Sequence, residues 1–175
     1  MDFRQIPLYG WSKEKRWVPR KKEYRRERII VDYAQVSLYD FAELSKRTWY
    51  KNGNGYAQSD YPTRVLMHTL LTSYKMTDHK DRDKLNNTRD NLRECTPQEN
   101  IANSGSKNGK LYKGVSYCKQ TSRYKATKMV AGKNKTIGRF KTAEQAAHAF
   151  NLFALSLPTA EYEYLNEVSI YEAVS

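Results

Sequence analysis

From Thr142 to Leu157 apolar side chains fall at positions 143, 146, 147, 150, 153, 154 and 157, the three-and-four spacing that lines one face of a helix. Thr142 and Gln145 open this run with a Thr-x-x-Gln cap, and Pro158 closes it. Ahead of the helix the period changes. GVSYCK, RYKATKMV and KTIGRF are short runs separated by the turn-rich QTS and AGKN, which predicts three antiparallel strands. Three strands cannot bury a core alone, so the expected unit is a sheet with one face under the helix and the other open.

Upstream the pieces are shorter. MTDH (76–79) and NLREC (91–95) can pair as a hairpin around the wide polar loop KDRDKLNNTRD. Thr-Pro-Gln-Glu at 96–99 then reads as a helix start, with Thr96 as cap, Pro97 at the first position and Glu99 at the third. Strand, loop, strand and helix are expected to bring Asp78, His79 and Asn100 together. The Ser, Gly and Asn content of SGSKNGK, 104–110, predicts a flexible connector.

Charge sharpens this division. The chain has 175 residues and a formal charge of +12. Residues 1–30 carry ten Lys/Arg against four Asp/Glu, and the next two blocks, 31–66 and 67–103, are balanced. Residues 104–141 carry eleven basic side chains and no acidic one, whereas 142–175 carry five acidic and no basic. Merely soluble surfaces intersperse both signs, so the basic block predicts a polyanion partner on the open sheet face, with the acidic block on the helix side. Fourteen Tyr and three Trp add rings that can stack against nucleic acid. No stretch has the length of a membrane span and no signal peptide is evident, so a cytosolic protein is expected. Cys95 and Cys118 lack paired spacing, which predicts reduced thiols and no structural zinc.

Phosphodiester cleavage needs a base that activates water and a cation that offsets charge on the phosphoryl and leaving oxygens. One imidazole, one carboxylate and an amide oxygen supply that set for a hard cation, which binds few protein oxygens and keeps waters. His79 lies 12 residues before Asn91 and 21 before Asn100. With Asp78, this pattern resembles the HNH nucleases, in particular the homing endonucleases of phages, whose ββα-metal core cuts DNA with one divalent cation. The resemblance implies His79 as general base, Asp78 and Asn100 as ligands of Mg2+ or Mn2+, and Asn91 as the residue bracing the loop. His68, in LMHTLL, and Asn103 are candidate supports, while Thr69 stands where the family usually has Arg.

The segment from YKGVSYCK through AFNLFA, closing with YLN at 164–166, resembles the DNA-binding domain of plant ethylene-response factors, the APETALA type. That resemblance implies a sheet in the DNA major groove, with Lys113, Tyr117, Lys119, Arg123, Lys125, Lys128 and Arg139 as candidate contacts. Ser116, Cys118 and Thr136 replace family arginines, and Tyr124 stands where many relatives have Trp. VSLYDFAELSKRTWYKNGNGYAQS resembles the leader before such nuclease cores. SKEKRWVPRKKEYRRER, 12–28, lies outside all three resemblances and reads either as a phosphate grip or as a solvated arm.

The expected class is therefore α+β. A basic leader and N-terminal subdomain (1–66) precede a small ββα-metal nuclease core (67–103), a linker (104–111), a three-stranded antiparallel sheet packed on one helix (112–166), and a tail (167–175). The expected protein is a monomeric homing endonuclease acting on double-stranded DNA. The rivals are a DNA-binding regulator with an inactive nuclease core and a basic RNA-binding protein of the ribosomal sort.

Overall fold

Strand β1 (Phe3–Val18) turns through a short 3-10 segment (Pro19–Lys21) and returns antiparallel as β2 (Glu23–Ser37). The computed structural model describes residues 2–21, 23–106 and 112–168, so part of the expected linker and most of the tail lie outside the described residues. Chain contacts divide the protein into two units, Met1–Cys95 and Thr96–Ser175.

In the first unit the base of the hairpin alternates as a half-buried sheet should. Ile6 pairs with Ala34 and Arg4 with Val36, so Ile6, Leu8, Ala34 and Val36 face one core. Trp49 closes that core; its indole N–H donates to the Leu44 carbonyl at 2.7 Å, and its own carbonyl accepts from Tyr9 N at 2.8 Å. The short α1 (Phe41–Leu44) contributes Leu44. Next come β3 (Tyr50–Lys51), β4 (Ala57–Ser59) and β5 (Val65–Leu66), a small sheet in the order β3-β4-β5, and α2 (Met67–Leu71) packs Met67 and Leu71 into the same core. Beyond the bulge at Leu8/Tyr9 the hairpin leaves this core, and residues 11–30 are half-buried or exposed wherever their burial is described. The segment 12–28 is therefore not an irregular arm. It is a regular two-stranded ribbon.

Strands β6 (Thr77–His79) and β8 (Leu92–Glu94) pair antiparallel as expected, with Thr77 opposite Glu94, Asp78 opposite Arg93 and His79 opposite Leu92. The wide loop between them is more ordered than its polarity suggests. Its centre forms β7 (Asn86–Asn87), which pairs parallel with β2 at Gln35 and Val36, and Leu85 enters the core. Arg89 fixes the far side through two N–H groups to the two oxygens of Asp40, at 2.9 and 2.8 Å.

The second unit opens with α3 (Pro97–Asn103), whose capping box is complete: the Thr96 side chain accepts from Glu99 N, and the Glu99 carboxylate accepts from Thr96 N. This helix clusters with the C-terminal segments because its carbonyls are used there. Ala102 O accepts from Tyr164 N at 3.0 Å, and the Lys113 ammonium donates to the carbonyls of Ile101 and Ala102.

Strands β9 (Val115–Cys118), β10 (Arg123–Val130) and β11 (Lys133–Phe140) form an antiparallel sheet in the order β11-β10-β9. Helix α4 (Ala143–Leu155), capped by Thr142, buries Ala146, Ala147, Phe150 and Ala154; Ala146 and Ala147 pack with Val115 and Ala126 of the sheet. The helix stops at Leu155, ahead of Pro158. Gly114 makes the close approach possible: its φ is +74°, and a Cβ there would lie 2.3 Å from the Phe150 ring and 2.6 Å from Thr127 O. Asn166 ties the end of the unit to its start. It accepts from Lys113 N at 2.7 Å and exchanges two 2.8 Å bonds with Asn151.

Candidate functional site

Strand alternation separates Asp78 from His79, and the two meet different surroundings. Asp78 faces Arg93 across the β6–β8 pair; Arg93 Nε and Nη2 both donate to its Oδ2, at 3.0 and 2.8 Å, and both side chains are largely buried. His79, 4% exposed, sits in an aromatic cluster. The His68 ring from α2 packs edge-on against it with centroids 5.1 Å apart, and Tyr56 lies 5.1 Å from His68 and 5.9 Å from His79. Lys84 holds its ammonium 4.7 Å from the centre of the Tyr56 ring.

Burial is the main electrical influence here. It lowers the His79 pKa, a shift opposed by the neighbouring Asn87 amide and by Asp81, Asp78 and Asp83. It lowers that of His68 further, to about 4, with the adjacent His79 adding to the effect. Burial also raises the Tyr56 phenol, and the Asp78 charge adds to that shift. Neutral imidazoles are thus favoured on both histidines, and a neutral imidazole is the form that takes a proton from water.

Asn91 is a brace. Its Nδ2 donates to Asp81 Oδ1 and to the Asn86 carbonyl, each at 2.8 Å, while its Oδ1 accepts from Asp81 N at 3.0 Å. Its backbone carbonyl accepts from Lys80 N, directly after His79. The loop is closed through one buried amide, and the end of β6 is fixed by it.

Asn100 lies on an exposed part of α3, in its first turns, and Asn103 is buried at the end of that helix. Both belong to the second unit. Among the described residues no three His, Cys, Asp or Glu side chains form a metal-binding group. A cation at Asp78 would therefore depend on one carboxylate, neutral amide oxygens and water, a donor set that suits Mg2+ or Mn2+, and would share the carboxylate with Arg93.

In the sheet unit the alternation sorts the seven expected contacts. Cross-strand partners share a face, so Arg123, Lys125 and Arg139 lie together with Ser116 and Cys118 on the face away from α4. Lys119 is exposed beyond the end of β9. Lys128 belongs elsewhere: it follows Ala126 by two residues, is buried on the helix side, and pairs at 2.8 Å with Glu163, whose side chain is also buried. Its expected role as an exposed phosphate contact is corrected by that parity. Tyr117 pairs with Tyr124, their rings 5.1 Å apart, and so shares the side of Ala126 rather than that of Arg123, though it is itself exposed. Lys113 is likewise engaged, with the carbonyls of α3 and with the Tyr164 ring at 5.8 Å.

Sequence reasoning missed Tyr56, Asp81, Asn87 and Arg93. Arg93 had a usable signal, since pairing TDH with LRE puts it opposite Asp78. Tyr56 had none, because an element distant in sequence brings it to His79; Asn87 lies in the polar loop itself, and the pairing that fixes it is with the distant β2.

The β6–β8 pair thus carries a buried histidine next to a carboxylate, and the loop between the two strands is locked by an asparagine. The model of the HNH endonuclease family matches residues 75–102, which span Asp78, His79, Asn91 and Asn100. A protein of Acanthamoeba polyphaga mimivirus named as an uncharacterized HNH endonuclease is 37% identical over 134 residues, covering 71% of this chain and 70% of the relative. No solved structure matches. The chain belongs to the HNH endonuclease family, DNA-cleaving hydrolases.

Proposed function

We propose that the protein is a divalent-cation-dependent DNA endonuclease of the homing type, in which the His79 site cuts and the open face of the C-terminal sheet selects where. The observation that carries this reading is the setting of His79: a largely buried imidazole on β6, next to Asp78, at the end of a loop closed by Asn91. His79 takes the proton of the attacking water as the new P–O bond forms and the bond to the leaving oxygen breaks. Asn91 acts through position, holding the strand end that carries the imidazole. His68 packs edge-on with the ring and restrains its tilt.

Asp78 and Asn100 are assigned as ligands of Mg2+ or Mn2+, on the family match that spans both and on their oxygen chemistry. When bound, the cation would offset charge on the phosphoryl and leaving oxygens. Arg123, Lys125 and Arg139, with Lys119 beside them, are assigned to duplex DNA, supported by their shared solvent-facing side and by the absence of acid from residues 104–141. The pairing of a nuclease core with a unit resembling a sequence-reading domain is what favours the homing type. A monomer with one catalytic motif would nick one strand per encounter.

Supercoiled plasmid incubated with the protein and Mg2+ should relax through a nicked form, and EDTA should stop it. Binding without nicking under every cation tried would favour the regulator with an inactive core.

A further inference from the structure

The β1–β2 ribbon beyond Leu8 has two unlike faces. Its register puts Lys15 opposite Arg26 and Arg16 opposite Arg25, two adjacent pairs of like charge. Such pairs destabilise an isolated ribbon, and a two-stranded hairpin with no core of its own has little stability to spare. On one face the conflict is answered internally: Arg16 pairs with Glu27 at 3.1 Å, and Arg25 pairs with Glu23. On the other face Lys15, Arg26 and Arg28 lie with Trp11 and Trp17, and none of the cross-strand partners of that face in the register is a carboxylate. Arg28 stacks 4.0 Å from the centre of the Tyr9 ring, which confirms that they share this side. Trp11 is 67% and Trp17 46% exposed, so both indoles offer surface to a partner. The tip adds Arg20 and Lys21.

We propose that this face, built on Trp11, Lys15, Trp17, Arg26 and Arg28, docks duplex DNA as a grip separate from the nuclease site and from the C-terminal sheet. A family of DNA-cleaving enzymes supplies the polyanion that relieves the Lys15–Arg26 conflict. A two-stranded ribbon fits the major groove, where its cations reach phosphates on both walls and its indoles lie against sugars and base edges. The other face, neutralised by Glu23 and Glu27, turns to solvent. The proposal rests on the chain acting on DNA and needs neither the His79 mechanism nor the C-terminal assignment.

The test uses the full-length protein, a fluorescent 40-base-pair duplex and EDTA to hold off cleavage, with affinity read across a salt series. Lys15→Gln/Arg26→Gln should weaken binding several-fold and flatten the log-log salt slope by about 1.8, from roughly 0.9 for each lost phosphate contact. Arg16→Gln/Arg25→Gln removes the same formal charge and should leave the slope nearly unchanged. Equal effects from the two variants, or none from either, would overturn the docking face. Wild-type tryptophan emission provides a readout independent of any variant's folding: added duplex should quench it, and Trp11→Phe/Trp17→Phe should abolish the response, since Trp49 is buried. Emission unmoved by DNA, or tighter binding of a matched RNA duplex through the same residues, would refute the assignment.

Discussion

Arg93 places two N–H groups on one oxygen of Asp78, the carboxylate assigned to the cation, from the strand directly across. This largely buried pair sets the orientation of Asp78 before any cation arrives. Removing the guanidinium leaves a buried charge uncompensated, which typically costs about 3–5 kcal/mol. Arg93→Met should therefore destabilise the first unit by about 3 kcal/mol in urea unfolding, while Asp78→Asn/Arg93→Met should recover much of that loss. Additive single effects in this cycle would mean that the contact carries no coupling.

His79→Ala should lower the cleavage rate by ~10² to 10⁴, the usual contribution of a general base, with DNA affinity nearly unchanged. Asp78→Asn should instead shift the Mg2+ concentration needed for half-maximal nicking upward. Single-turnover nicking across a metal titration distinguishes these two outcomes. Full activity in the His79 variant would remove the imidazole from the mechanism.

What could be read from the chain divides along a physical line. The β6–β8 pair, the Thr96 capping box, the three-stranded sheet and α4 depend on period, caps and turns within a few residues, and all are visible in the residue pattern. The Arg89–Asp40 bond spans 49 positions, and the parallel pairing of Asn86 with Gln35 joins the loop to a distant strand. Neither leaves a local trace. Lys128 shows a different failure: counting charge assigned it to DNA, while counting by twos from Ala126 puts it under the helix. The ribbon at 12–28 was hidden because its two strands alternate charge with charge rather than apolar with polar.

Stability should fall in mild acid through His68. Its pKa is about 4 in the fold, against about 6.5 in the unfolded chain. Because the folded value is the lower one, the unfolded state binds the proton first as pH falls. The contribution is complete above pH ~6.5 and is lost progressively down to about 4. After allowance for solvent screening this amounts to about 1 kcal/mol between pH 7.5 and 5. His68→Phe, which keeps a ring against Tyr56 and His79, should unfold with a smaller acid-side loss; His79, shifted in the same direction, supplies what remains. Identical pH profiles for the variant and the wild type would contradict the neutral burial of His68.

Within the C-terminal unit the cations should separate into two behaviours. Arg123, Lys125 and Arg139 share the side away from α4, so Gln at all three should flatten the salt dependence of duplex binding by about 2.7, from roughly 0.9 per phosphate contact, with little change in the unfolding midpoint. Lys128 lies under the helix with Glu163, so Lys128→Met should leave the Glu163 carboxylate buried without its counter-charge, held by the Thr159 hydroxyl, and cost about 3 kcal/mol of stability. Glu163→Gln/Lys128→Met, which removes both charges, should recover much of that cost, and neither variant should alter the salt slope while folded. Anisotropy across a salt series and urea unfolding, run on the same preparations, read both quantities. A lower slope in the folded Lys128 variant would show that this ammonium leaves Glu163 for a phosphate, and the helix side of the sheet would then have to open on binding.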